Sequence, residues 1–191
     1  MLQPGPKAIS YLFYLAIIGW LIGTTIHILS IAHIDVTRYF PFVWLLHIGI
    51  FIIWFPLILF LRNNQSEVKK LQAIRAKVEQ SSFFSKGILG HCPLWLRLFV
   101  VIFSVYMGIN FLFLSSTPGL PHFENGEYML RVRGGRVIRT ITEQEYHYYK
   151  AKQLRKFSGH WIFFYGTAIA VLLPFRKKNS DLHTNNNSNT F

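Results

Sequence analysis

The chain has 191 residues, of which 51% are hydrophobic, 17% aromatic and only 15% charged. An average soluble domain is about 25% charged, so this composition excludes a disordered chain and argues against an ordinary water-soluble domain. Twenty Lys and Arg against eight Asp and Glu leave a formal charge of +12, and a single cysteine, Cys92, excludes an intramolecular disulfide.

In chain order, the segment MLQPGPK precedes an apolar run that has no small-residue cleavage pattern and is too long for a signal sequence, so it reads as a retained first span. Residues 8–34 carry no charge, and neither do residues 39–61. A third run extends from Leu94 to Ser115 with Arg97 as its only charge, and a fourth places 19 uncharged residues between Lys156 and Arg176. A bilayer core needs about 20 apolar residues in helix, and continuous apolar runs select helices over barrel strands. The expected fold is therefore an all-α integral membrane protein, a four-helix transmembrane bundle with spans at about 10–34, 40–61, 94–115 and 158–175. Tyr11, Tyr14, Trp95, Trp161 and Tyr165 fall near span ends, where amphipathic rings favour the headgroup layer. Trp20 and Trp54 lie deeper and are expected between helices, and Arg97 is close enough to an end to snorkel.

The 62–93 loop carries SEVKKLQAIRAKVEQ, expected as a basic amphipathic helix with Ser66 as N-cap. Val68, Leu71, Ile74 and Val78 share its apolar face, and Lys69, Lys70, Arg75 and Lys77 its polar face. The 116–157 loop is expected to hold a small β-hairpin plus helix at 127–157. Gly134-Gly135 suits a two-residue turn, pairing Arg133 with Arg136, Val132 with Val137, Leu130 with Arg139 and Tyr128 with Ile141. Arg131, Arg133 and Arg136 then share one face, so an anion or acidic partner is expected there to offset their repulsion. Thr142-Glu143-Gln144-Glu145 fits a capping box opening the next helix, with Ser158-Gly159 as a kink point. Residues 179–191 are polar and Asn-rich and read as a disordered tail. Residues 1–178 thus form one polytopic domain.

No hydrolase elbow, zinc-protease helix, phosphate loop or dinucleotide fingerprint is present. Acidic residues are absent from the spans, which weakens acid–base and proton-pump readings. Histidine remains. At about 1.5 Å per residue, His27 and His47 lie roughly 10–12 Å from the same membrane surface, and His160 enters from that side. Such a trio suits haem b or a metal ion, with Thr24, Thr25, Ser104 and Asn110 as neighbours and Gly19, Gly23 and Gly108 giving room or close packing. The competing reading is helix packing and hydrogen bonding. With the N-terminus inside, basic residues number eleven on the cytoplasmic side and nine opposite, so both termini are expected in the cytoplasm of a bacterial-type inner or plasma membrane. The function expected is a non-catalytic accessory, assembly or scaffold subunit that docks to a protein partner, a second copy or anionic lipid. A membrane redox protein with His27 and His47 as ligands is the alternative and a transporter component the second alternative. Nucleic acid is not an expected partner.

Overall fold

The computed structural model describes residues 6–79, 92–115, 119–132 and 135–188, with the side chains of 7–74, 92–112, 119–132 and 135–176. Helix α1 spans Pro6–Ile31, and two 3-10 turns, Val36–Arg38 and Pro41–Trp44, lead into α2 at Leu45–Asn63. Helix α3 follows at Gln65–Glu79 and α4 at Leu94–Ser115. Strands β1 (Leu120–Glu124), β2 (Glu127–Arg131) and β3 (Val137–Thr140) precede α5 at Glu143–Ser188. Four of these helices are long and apolar enough to cross a membrane.

The helices are not a symmetric bundle. Helix α5 is the central strut, and α1, α2 and α4 pack around it, α1 most extensively. In the apolar window of α5, 61% of residues are buried, against 33%, 22% and 22% in the other three. Trp161 and Tyr165 lie in this core, at 0% and 3% exposure. The headgroup position expected for them is corrected: Gly19 of α1 leaves the room that the Tyr165 ring occupies, and Gly23 faces the Trp161 Cβ and Ile162. Tyr11, Tyr14 and Trp95 are exposed near helix ends, as expected. Arg97 is buried at 2% exposure and packs inside the protein rather than reaching outward. The Cys92 thiol is also buried and donates to the Ala170 carbonyl at 3.1 Å.

The stretch of α5 that contains its apolar window, Glu143–Arg176, is 34 residues long, about 51 Å in helix. Its first turns lie against the sheet, with the Tyr128 and Tyr146 ring centroids 5.0 Å apart and Arg139 paired with Glu145. No break in the helix is assigned at Ser158-Gly159, and α5 runs on to Ser188, through most of the tail expected to be disordered. Helix α3 begins at Gln65 directly after α2, with the Val68 amide bonded to the Asn64 carbonyl. Ser66 is therefore inside the helix and not its cap. Val68 and Leu71 pack on the core while Ile74 is 59% exposed; the side chains of Arg75, Lys77 and Val78 lie outside the described residues.

The expected two-stranded hairpin is one edge of a three-stranded antiparallel sheet in the order β1-β2-β3. The extra strand is joined by Asn125-Gly126, both at positive φ (53° and 83°), the signature of a type I′ turn. Leu130 pairs with Arg139, and the Ile141 amide bonds the Tyr128 carbonyl, as expected. A register shift between Leu130 and Arg131 then pairs Arg131 with Val137 and bonds Val132 to Arg136. The capping box forms: Glu145 N–H donates to Thr142 Oγ1 at 3.1 Å, and Thr142 N–H to Glu145 Oε2 at 3.0 Å.

Two measurements check this architecture. Gly19→Val would press a branched side chain into the Tyr165 ring and is expected to cost about 1–3 kcal/mol. A thermal melt in detergent should show that loss, and a Tyr165→Ala background should remove most of it. Arg139 and Thr142 hold the Glu145 carboxyl at about 2, down from an ordinary 4.5, chiefly through the Arg139 side-chain bond. A depressed carboxyl contributes stability above its unfolded value, and that contribution is lost as pH falls from about 4.5 through about 2. An NMR titration of Glu145 should give a midpoint near 2 in the parent chain and a clearly higher one in Arg139→Gln.

Candidate functional site

Two polar clusters stand out, and both use α1 and α5. The first is buried. Trp20, Thr24 and His27 fall at i, i+4 and i+7 on α1, one stripe of the helix. His27 is 5% exposed and reaches both neighbours. Its Nδ1 lies 2.8 Å from Ser158 Oγ on α5, and its Nε2 lies 2.6 Å from Tyr106 Oη on α4.

The donors can be assigned from the chain of partners. Ser158 Oγ donates to the Arg155 carbonyl at 3.2 Å, so it accepts from His27 Nδ1–H. His27 Nε2 then accepts from the Tyr106 hydroxyl, and a neutral imidazole satisfies the whole set. Asn110 closes the network by donating to the Arg155 carbonyl at 3.3 Å and accepting from Arg155 Nε at 3.1 Å. Three helices are thereby tied at one level. Deeper on the stripe, Trp20 Nε1 and Thr24 Oγ1 have no partner among the described residues.

The histidines singled out in the sequence are not brought together. His47 Nδ1 accepts from Trp161 Nε1 at 3.3 Å, and its ring lies against Phe51 and Phe157. Trp161 also packs at Gly23 of α1, so it stands between α1 and His47. His160 Nδ1 donates to the carbonyl of Lys156, one turn back, at 2.9 Å, and its ring meets Phe111. Both nitrogens of His27 are taken by hydroxyls. These imidazoles do not fit a bis-histidine haem site, and no three His, Cys, Asp or Glu side chains among the described residues are grouped to hold a metal ion.

The arginine cluster is also divided. Arg131 is paired with Glu124 of β1, the strand not foreseen, so a carboxylate of the chain itself offsets that charge. Arg136 is exposed, and Arg133 lies outside the described residues.

The second cluster was not singled out from the sequence. Helix α1 ends with His33 at φ 60°, a left-handed position that histidine tolerates better than most side chains. His33 N–H bonds the Ser30 carbonyl and Ile34 N–H the Leu29 carbonyl, a Schellman ending. This sharp stop aims the His33 ring at α5, where it stacks on Tyr148 with centroids 4.9 Å apart. Asp35, 7% exposed, caps the first 3-10 turn through Thr37 N–H at 3.0 Å and Thr37 Oγ1 at 2.5 Å. Its other oxygen meets His147 Nδ1 of α5 at 2.8 Å, and Glu143 lies 3.7 Å from the far nitrogen. His33, Asp35, Arg38, Glu143 and His147 all line one polar cavity of about 690 Å³.

Comparison with known protein families, curated proteins and solved structures finds no match.

Tyr106→Phe and Ser158→Ala each remove one arm of the buried network. Interhelical bonds of this kind contribute about 0.6 kcal/mol in lipid, and a stranded buried partner raises the loss to about 1–3 kcal/mol. Unfolding in detergent should therefore show a loss in that range for either variant, and a double variant should lose less than the sum.

Proposed function

We propose that the chain is a multi-pass integral membrane protein that acts as a non-catalytic accessory or scaffold subunit and docks laterally to another membrane helix. The observation that carries this reading is the contrast between the inside and the outside of the helix array. Inside, the polar side chains bond across helices: His27 with Tyr106 and Ser158, Asn110 with Arg155, Trp161 with His47, and Tyr165 with the Leu46 carbonyl at 2.7 Å. Outside, the helices carry large apolar side chains such as Ile18 at 54% exposure, Phe55 at 70% and Leu112 at 72%. Water would oppose that surface and lipid would not.

Helix α4 supports the docking part. Leu94, Leu98, Val101, Val105 and Leu112 are exposed and, with Gly108, recur at alternating steps of four and three. That is a heptad seam. A Cβ at Gly108 would meet nothing within 4 Å, so a second helix has room to approach there. Even numbers of spans place both termini on one side, and the cytoplasm is the side favoured by the basic residues of the α2–α4 segment.

Fusions at residues 85 and 125 test the orientation: a cytoplasmic reporter should be active at 85 and inactive at 125, and activity at 125 reverses the topology. Purification in mild detergent tests the docking. A co-purified membrane protein or a defined oligomer is expected, weakened by Gly108→Ile, whereas a monomer unaffected by that change overturns the reading.

A further inference from the structure

Beside the polar cavity lies a second, apolar one. It is a groove of about 710 Å³ between α1 and α2, with Leu21, Ile22 and Ile52 among its walls and Tyr165 of α5 among its lining residues. Both volumes fall in the range of small-molecule sites, roughly 300–1,000 Å³. The same short loop lines both. Val36, Phe40 and Phe42 face the apolar groove, while Asp35, Arg38 and Tyr39 face the polar cavity. The loop is thus an amphipathic partition, hydrocarbon-compatible on one side and charged on the other.

We propose that the two cavities together bind one zwitterionic phospholipid, with an acyl chain in the α1–α2 groove and a phosphate-plus-primary-amine headgroup in the polar cavity. The headgroup follows from which charges remain unspent. Asp35 is saturated by Thr37 and His147. Arg38 is exposed and has no ion-pair partner among the described residues. Glu143 is 57% exposed and only 3.7 Å from His147. One cation and one carboxylate therefore face the cavity, a match for a phosphate and an ammonium. An anionic glycerol headgroup would leave Glu143 unanswered. A quaternary amine favours a cage of several aromatic faces; of the two tyrosines lining the cavity, Tyr148 already stacks on His33 and has the Lys152 ammonium 4.6 Å from its centroid, which leaves the Tyr39 ring alone.

The site rests on the membrane reading, so two measurements are separated. Alkaline washing of membranes reports residence. Native mass spectrometry of the full chain in detergent, with equimolar phosphatidylethanolamine, phosphatidylcholine and phosphatidylglycerol added, reports the headgroup. We expect phosphatidylethanolamine to be retained about tenfold over the other two, as one charge-assisted contact allows. Arg38→Gln and Glu143→Gln should each abolish that preference, and Arg136→Gln should leave it intact. Ile22→Trp, which fills the groove, should lower retention of all three lipids without changing their order. Equal retention of the three lipids, preference for phosphatidylglycerol or phosphatidylcholine, or indifference to Arg38→Gln and Glu143→Gln overturns the site while leaving membrane residence standing. Release by the alkaline wash overturns both.

Discussion

The rest of the structure depends on the close contact between α1 and α5. Gly19 leaves space for Tyr165, Gly23 for Trp161, and His27 then meets Ser158. Four residues up α1 correspond to three or four down α5, the register of two antiparallel helices packed at short range. Small residues allow that approach, and in a lipid environment it is dispersion and hydrogen bonding, not exclusion of water, that reward it. Once the register is set, the later contacts are geometric consequences. The His33 ring reaches Tyr148 and Asp35 reaches His147 because α1 stops where α5 is still helical. Helix α2 then attaches to α5 through the Trp161–His47, Tyr165–Leu46 and Trp54–Phe164 bonds and the packing of Ile53, Leu57 and Phe60, and α4 through the Asn110–Arg155 bonds and the packing of Leu96 and Val100 against Ala170.

The signals that depend on a few adjacent residues were legible in the sequence. The four apolar runs became four helices, and Thr142 with Glu145 became a capping box, because length and local hydrogen bonding decide both. The outer half of the β2–β3 register was legible for the same reason. The turn end was not, because the register shifts at Arg131, on a strand whose other neighbour, β1, was not foreseen. That neighbour had its own signal, Asn125-Gly126, a stronger hairpin cue than Gly134-Gly135, and reading it would have supplied Glu124 as the partner of Arg131. Counting along the helices set an expected depth for His27 and His47, but rotation about the axis was not legible. The count put the two imidazoles at one level, whereas Trp161 bonds His47 and packs at Gly23 of α1. Trp161 and Tyr165 likewise sit at span ends by count but inside by rotation. The Asp35–His147 pair spans 112 positions, and no local pattern encodes a contact of that separation.

The acidic residues are few, and several of them are spent on contacts between elements. Glu124 answers Arg131, Glu145 answers Arg139, and Asp35 bonds His147. Each of these contacts joins two different elements: strand to strand, strand to helix, loop to helix. They fix the sheet and the interhelical loop onto the first turns of α5. They are worth little one at a time where they are exposed, so their contribution is to orientation more than to stability.

The cations at the middle of α5 follow a different rule, with no carboxylate paired to them among the described residues. Lys150 lies over Tyr146 at 5.4 Å, Lys152 over Tyr148 at 4.6 Å and Lys156 over Phe111 at 4.2 Å, while Arg155 bonds Asn110. Aromatic faces and an amide oxygen thus take the place of counterions. This matters for the topology that the chain adopts. These four charges crowd the start of the fourth apolar run and narrow the count of basic residues to eleven against nine. On charge number alone they would draw that segment inward. Contacts with rings of α5 itself and of α4 stabilise these cations without removing their charge, and in the proposed orientation they would stand on the side opposite the α2–α4 segment. The proposed orientation therefore rests on the first spans and the basic α2–α4 segment, with these aromatic and amide contacts holding the α5 cations.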